Sequence, residues 1–116
     1  MAISLPPKVY LACGITNMQK GIDGLATIVR EELGRDILQS RAVFVFRGRK
    51  SDRVKLLWWD GQGLCLYYKR LEMGKFIWPV TEEGVAQLSN AQLSMLLEGI
   101  DWRMLKRTNK PSYETQ

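Results

Sequence analysis

Asp60-Gly61-Gln62-Gly63 stands between two runs of apolar and aromatic residues, Arg53 to Trp59 and Leu64 to Leu71. An Asp-Gly turn flanked by such runs is among the strongest short-range signals for a β-hairpin. If Gly61 and Gln62 form a two-residue turn, Trp59 pairs with Leu64, Leu57 with Leu66 and Lys55 with Tyr68. Trp58, Leu56 and Val54 then share the other face with Cys65, Tyr67 and Lys69. Neither face is purely polar, so the pattern leaves open which one packs on helices.

The neighbouring segments extend this sheet. Ala42 to Phe46 is β-branched and aromatic, and Arg47 to Asp52 reads as a turn. Glu72-Met73-Gly74-Lys75 turns again, and Phe76 to Trp78 reads as a fourth strand stopped by Pro79. Short connections between successive strands predict an antiparallel meander. Val9 to Ala12 predicts a short N-terminal strand. Thr16 and Gln19 have capping-box spacing, so a helix is expected from about Asn17, with Gly34 as its stop. Val85 to Leu88 is short and extended. Ser89 and Gln92 form a second capping box, predicting a helix over 90–98 that Gly99 ends. The expected fold is α+β: a four-stranded antiparallel meander flanked by two helices, with a short N-terminal strand. A chain of 116 residues makes one domain, expected over 1–105, with a mobile polar tail at 106–116.

Composition narrows the chemistry. There is no histidine and there are two cysteines, Cys13 and Cys65. Cys/His zinc sites and His-assisted nucleophiles are therefore excluded. The cysteines read as small hydrophobes. No phosphate-binding Gly-x-x-x-x-Gly-Lys-Ser/Thr loop occurs. Asp23, Asp52, Asp60, Glu72, Glu98 and Asp101 are the candidate carboxylates, and nothing in their spacing brings three together. No catalytic residue, metal or cofactor is expected. No apolar run approaches the ~20 residues of a membrane span. A secretory start is also lacking, so the expected compartment is the cytoplasm, at the nucleoid.

Between Arg47 and Lys75 lie eight basic and three acidic residues, which carry the chain's entire net charge of +5. The order of the strands brings the turns at 47–52 and 72–75 to one end of the sheet. Arg47, Arg49, Lys50, Arg53, Lys55, Lys69, Arg70 and Lys75 therefore gather there as candidate nucleic-acid contacts. Gly48, between arginines, would let backbone approach a phosphate. Trp58 and Trp59 are candidate stacking platforms; the competing reading makes them core and the basic residues a solvated rim.

Three blocks carry a family resemblance. They are Leu11-Ala-Cys-Gly-Ile-Thr-Asn-Met-Gln-Lys-Gly-Ile-Asp-Gly-Leu25, the stretch from Val43 to Pro79, and Leu93-Ser-Met-Leu-Leu-Glu-Gly-Ile-Asp-Trp-Arg103. The chain resembles the small accessory protein encoded by the second open reading frame of insertion sequence 66 elements, often labelled the TnpB type. Asn17 and Gln19 stand where that family commonly has Asp and Arg. The resemblance implies a bacterial mobile-element protein that supports transposition, with strand transfer assigned to a separate transposase. The expected partners are DNA, at the element ends, and that transposase; a homo-oligomer is a further possibility, and no membrane partner is expected. The alternative is a module that docks on the transposase without binding DNA, through an aromatic sheet face and Glu98 to Arg103.

Overall fold

The computed structural model describes residues 4–80 and 84–99. Its strands are β1 (Lys8–Ala12), β2 (Ala42–Arg47), β3 (Arg53–Trp59), β4 (Leu64–Arg70) and β5 (Val85–Leu88). They form one sheet in the order β4-β3-β2-β1-β5. Two helices accompany them: α1 (Ile22–Thr27), prolonged by a π-helical stretch Ile28–Glu32, and α2 (Asn90–Glu98).

The hairpin follows its turn chemistry. Asp60 N–H donates to Gly63 O at 3.1 Å, and Gly61 takes the positive φ of 101° that a tight turn demands. The Asp60 carboxylate accepts the N–H groups of Gln62 and Gly63. The resulting register pairs Trp59 with Leu64, Leu57 with Leu66 and Lys55 with Tyr68, as the two-residue turn predicts.

The structure departs from the expected fold in three ways. First, the sheet has five strands. β1 lies inside it, parallel to β2 and antiparallel to β5. β1, α1 and β2 thus form a strand–helix–strand crossover, the connection that parallel strands require. Second, Phe76 to Trp78 is not a strand. Phe76 N–H donates to Ser51 O at 2.9 Å and Trp78 Nε1 donates to the same carbonyl at 3.1 Å. Both rings are buried, so the segment lies over one face of the sheet as a cover. Third, α1 begins at Ile22 rather than near Asn17. The Asn17 side chain accepts from Gln19 N–H, and Lys20 N–H donates to Asn17 O, closing a local turn before the helix. Gly34 does end this helical region, with φ 65°. The expected capping box at α2 is present in both directions, and Gly99 ends the helix in the left-handed conformation.

Both faces of the sheet are packed. Val9, Leu11, Val43, Val45, Val54, Leu56 and Trp58 meet Phe76, Trp78, Leu93 and Leu96 on one side. On the other, Phe44, Phe46 and Leu57 meet Leu25, Ile28 and Val29 of the first helical region. This explains why Ala42–Phe46 is apolar without alternation: β2 is central and buried on both faces. Among the described residues no helix is long and apolar enough to cross a membrane. The expected tail at 106–116 lies outside the described residues.

Candidate nucleic-acid interface

The basic turn between β2 and β3 is tightly specified. Gly48 N–H donates to Arg53 O at 3.2 Å, Ser51 N–H donates to Gly48 O at 3.1 Å, and Ser51 takes φ 65°. The 72–75 turn joins it, because Leu71 N–H donates to Asp52 O at 2.8 Å. The two turns therefore meet at one end of the sheet, as the strand order predicts. The parallel pairing adds a third element there. Because β1 and β2 end together, the segment after β1 runs beside the basic turn, and Thr16 N–H donates to Arg47 O at 2.8 Å. In open α/β sheets this region, outside the carboxyl ends of parallel strands, is where ligands are held.

Two grooves flank the turn. One, of about 640 Å³, is lined by Ile15, Thr16, Asn17, Met18, Gln19, Arg49, Lys50, Asp52 and Arg53. The other, of about 590 Å³, includes Arg47, Lys75, Ile15, Ile77, Pro79 and Val80. Arg49, Lys50 and Lys75 are exposed and make no ion pair or side-chain hydrogen bond among the described residues. Arg53 is half-buried, 3.9 Å from Asp52, and opens on the first groove.

The other four basic residues are engaged in the fold. The structure corrects the reading of Lys55 most sharply. Lys55 is 6% exposed, and its ammonium donates to the carbonyls of Met18 at 2.7 Å and Lys20 at 2.8 Å. The Tyr68 ring covers it, 4.7 Å from Nζ to the centroid. Burial pushes its pKa below the ordinary value of 10.5. Lys55 thus tethers the segment before α1 to the sheet. Lys69 Nζ donates to Leu97 O at 2.7 Å, tying β4 to α2. Arg70 pairs with Glu72 through two hydrogen bonds, of 3.1 and 3.0 Å. Arg47 lies over the Trp78 ring and donates to Ser51 Oγ at 3.1 Å.

The two tryptophans alternate across β3 and differ in burial. Trp58 is core, at 5% exposure. Trp59 is half-buried and closes β3 at the far end from Arg53, about 20 Å away at strand rise. It lines a separate cleft with Pro6, Pro7, Leu38 and Asp60. Gly48 serves packing rather than ligand approach. It is buried, and a Cβ there would stand 2.8 Å from Met18 Cγ. Of the aromatic sheet residues read as an alternative docking face, Trp58 is core, whereas Tyr67 and Tyr68 on β4 are exposed, and residues 100–103 lie outside the described residues.

What the sequence reading missed is the Ile15–Gln19 wall of the groove. Its signal was the strand–helix–strand order of residues 8–47, which places the segment after the first strand beside the turn after the second. Asp60, by contrast, is the turn residue it was read to be. Its two backbone hydrogen bonds hold its carboxyl below the usual carboxylate range. Its Oδ2 also accepts the Cys65 thiol at 3.4 Å, and burial with that carboxylate pushes the thiol pKa up. Among the described residues no three His, Cys, Asp or Glu side chains are placed to hold a metal ion.

A family model described as IS66 Orf2 like protein matches residues 7–107. The chain is 47% identical over 105 residues to the Uncharacterized protein y4hO of Sinorhizobium fredii (strain NBRC 101917 / NGR234), covering 90% of each. It is 35% identical over 100 residues to the Uncharacterized protein y4jC of the same strain, covering 86% of this chain and 85% of that one. No solved structure is a significant match.

Proposed function

The chain belongs to the family of IS66 Orf2-like proteins, accessory proteins of insertion sequences, and from that premise we propose that it supports transposition by binding duplex DNA. The proposed role is non-catalytic. The contacts are to phosphates, made by Arg49, Lys50, Arg53 and Lys75 where the two turns meet.

One observation carries this reading. Three exposed cations without partners among the described residues and a fourth lining the groove converge on one end of the sheet. Charge density of this kind binds polyanions through counterion release. Four phosphate contacts correspond to a log–log salt slope of about −3.6 for duplex DNA. Fluorescence anisotropy of the pure protein with an element-end duplex, titrated across salt, tests it. A slope of about −3 to −4, much the same on a random duplex, is expected. No binding at low salt would remove DNA binding as an autonomous property.

A second reading rests on the apolar rim of the neighbouring groove. Ile15 is 56% exposed and Val80 94%, beside Ile77 and Pro79. A patch of this kind suits docking on the element's transposase. Co-sedimentation with purified transposase in the absence of DNA tests it, and loss in Ile15→Asp would locate the contact.

A further inference from the structure

β4 is an edge strand, and its open side has a readable pattern. Leu71 N–H donates to Asp52 O and Asp60 N–H to Gly63 O, at the two ends of the β3–β4 register. Antiparallel ladders alternate hydrogen-bonded and non-bonded pairs. Lys69, Tyr67 and Cys65 therefore turn their N–H and C=O groups toward β3. Leu64, Leu66, Tyr68 and Arg70 turn theirs outward, and among the described residues no strand pairs with them.

Natural sheets protect long edges with proline, bulges, shortness or charge. β4 has seven residues in continuous register, with no proline, glycine or bulge. Its middle, Leu66-Tyr67-Tyr68, carries no charge, and Tyr67 and Tyr68 are 36% and 47% exposed. The opposite edge, β5, is only four residues long.

We propose that the outer edge of β4 pairs with β4 of a second copy of this chain, antiparallel across a two-fold axis at Tyr67, making one continuous ten-stranded sheet.

The edge is complementary to itself. With Tyr67 opposite its equivalent, Leu66 faces Tyr68 of the second copy and Leu64 faces Arg70. This register uses all four outward residues, in about eight main-chain hydrogen bonds. It also sets Lys69 of one copy opposite Cys65 of the other. The Lys69 ammonium stays on Leu97 O of its own copy. The basic turns go to opposite ends of the assembly, so like charges are not opposed. Both contacts repeat through the symmetry, as a closed two-fold interface requires.

The pairing does not depend on the DNA reading and is tested without DNA. Sedimentation velocity of the full chain should give a concentration-dependent species of about twice 13.3 kDa. Tyr67→Glu opposes two carboxylates on the axis. It should give the monomer mass with an unchanged circular dichroism spectrum. Tyr67→Cys places two thiols on the axis, where a non-bonded pair has Cα atoms about 4.5 Å apart, within disulfide range. It should form a covalent dimer on mild oxidation. The native Cys65 pair, about 14 Å apart in this register, should not. A wild-type monomer at the highest soluble concentration would overturn the proposal, leaving the edge to a partner's strand. So would a Tyr67→Glu dimer of wild-type strength, or Tyr67→Cys that dimerises without cross-linking.

Discussion

Replacing Lys55 with methionine separates the two roles that basic residues play here. The side chain crosses from β3 to the segment before α1 and ends on two carbonyls, at 2.7 and 2.8 Å. Hydrogen bonds from a charged group contribute about 1.5–3 kcal/mol each. Methionine keeps the apolar stem packed but leaves the Met18 and Lys20 carbonyls without their donor. Removing a buried ammonium offsets part of this loss, because its desolvation cost of several kcal/mol disappears too. A net destabilisation of about 2 kcal/mol is expected. With a urea m-value of about 2 kcal/mol/M, the midpoint should fall by about 1 M at unchanged m. Tryptophan fluorescence reports it, since Trp58 is buried in the core. DNA affinity of the folded variant should stay within about twofold of wild type, the order of one weak surface contact. An unchanged midpoint with a large loss of affinity would refute the tether and return Lys55 to the interface.

Three other outcomes follow from the packing. Gly48→Ala should cost about 1–3 kcal/mol, because its Cβ would stand 2.8 Å from Met18 Cγ; thermal melts of Gly48→Ala with and without Met18→Ala should show the second change recovering part of the loss. Trp58→Ala should cost about 3–5 kcal/mol and Trp59→Ala clearly less, with equal losses arguing against their different burial. Because burial lowers the folded-state pKa of Lys55 below 10.5, the unfolded chain holds more protons between the two values, and this group's contribution to stability rises with pH across that window. The neutral amine still has two N–H donors for the two carbonyls. The stability difference between wild type and Lys55→Met should therefore widen as pH approaches 10.5, and a narrowing difference would contradict the sign.

The parts of this fold legible in the sequence are those whose geometry is set locally. Asp60-Gly61 fixes the β3–β4 register through its own hydrogen bonds, and Ser89 with Gln92 fixes the start of α2. The parallel pairing of β1 with β2 is set by a crossover of some thirty residues, and no local signal states it. Without that pairing the sheet reads as a meander, and Phe76-Ile77-Trp78 reads as its fourth strand. The same alternation of Phe76 and Trp78 serves equally well to put two rings onto a sheet face. At the site, clustering of charge was legible because it follows from strand order. Which cations are spent inside the fold was not, since Lys55 and Lys69 find their acceptors in segments 28 or more positions away.

The central claim is that the exposed basic turn, not the whole basic stretch, grips the DNA backbone. The salt dependence of duplex binding by an Arg49→Ala, Lys50→Ala double variant tests it most directly. Both positions are exposed turn residues, so stability should change by no more than about 0.5 kcal/mol for each. The slope should flatten by about two units, one for each lost phosphate contact, equally on element-end and random duplexes. A wild-type slope in the well-folded double variant would contradict the account and move the interface elsewhere on the molecule.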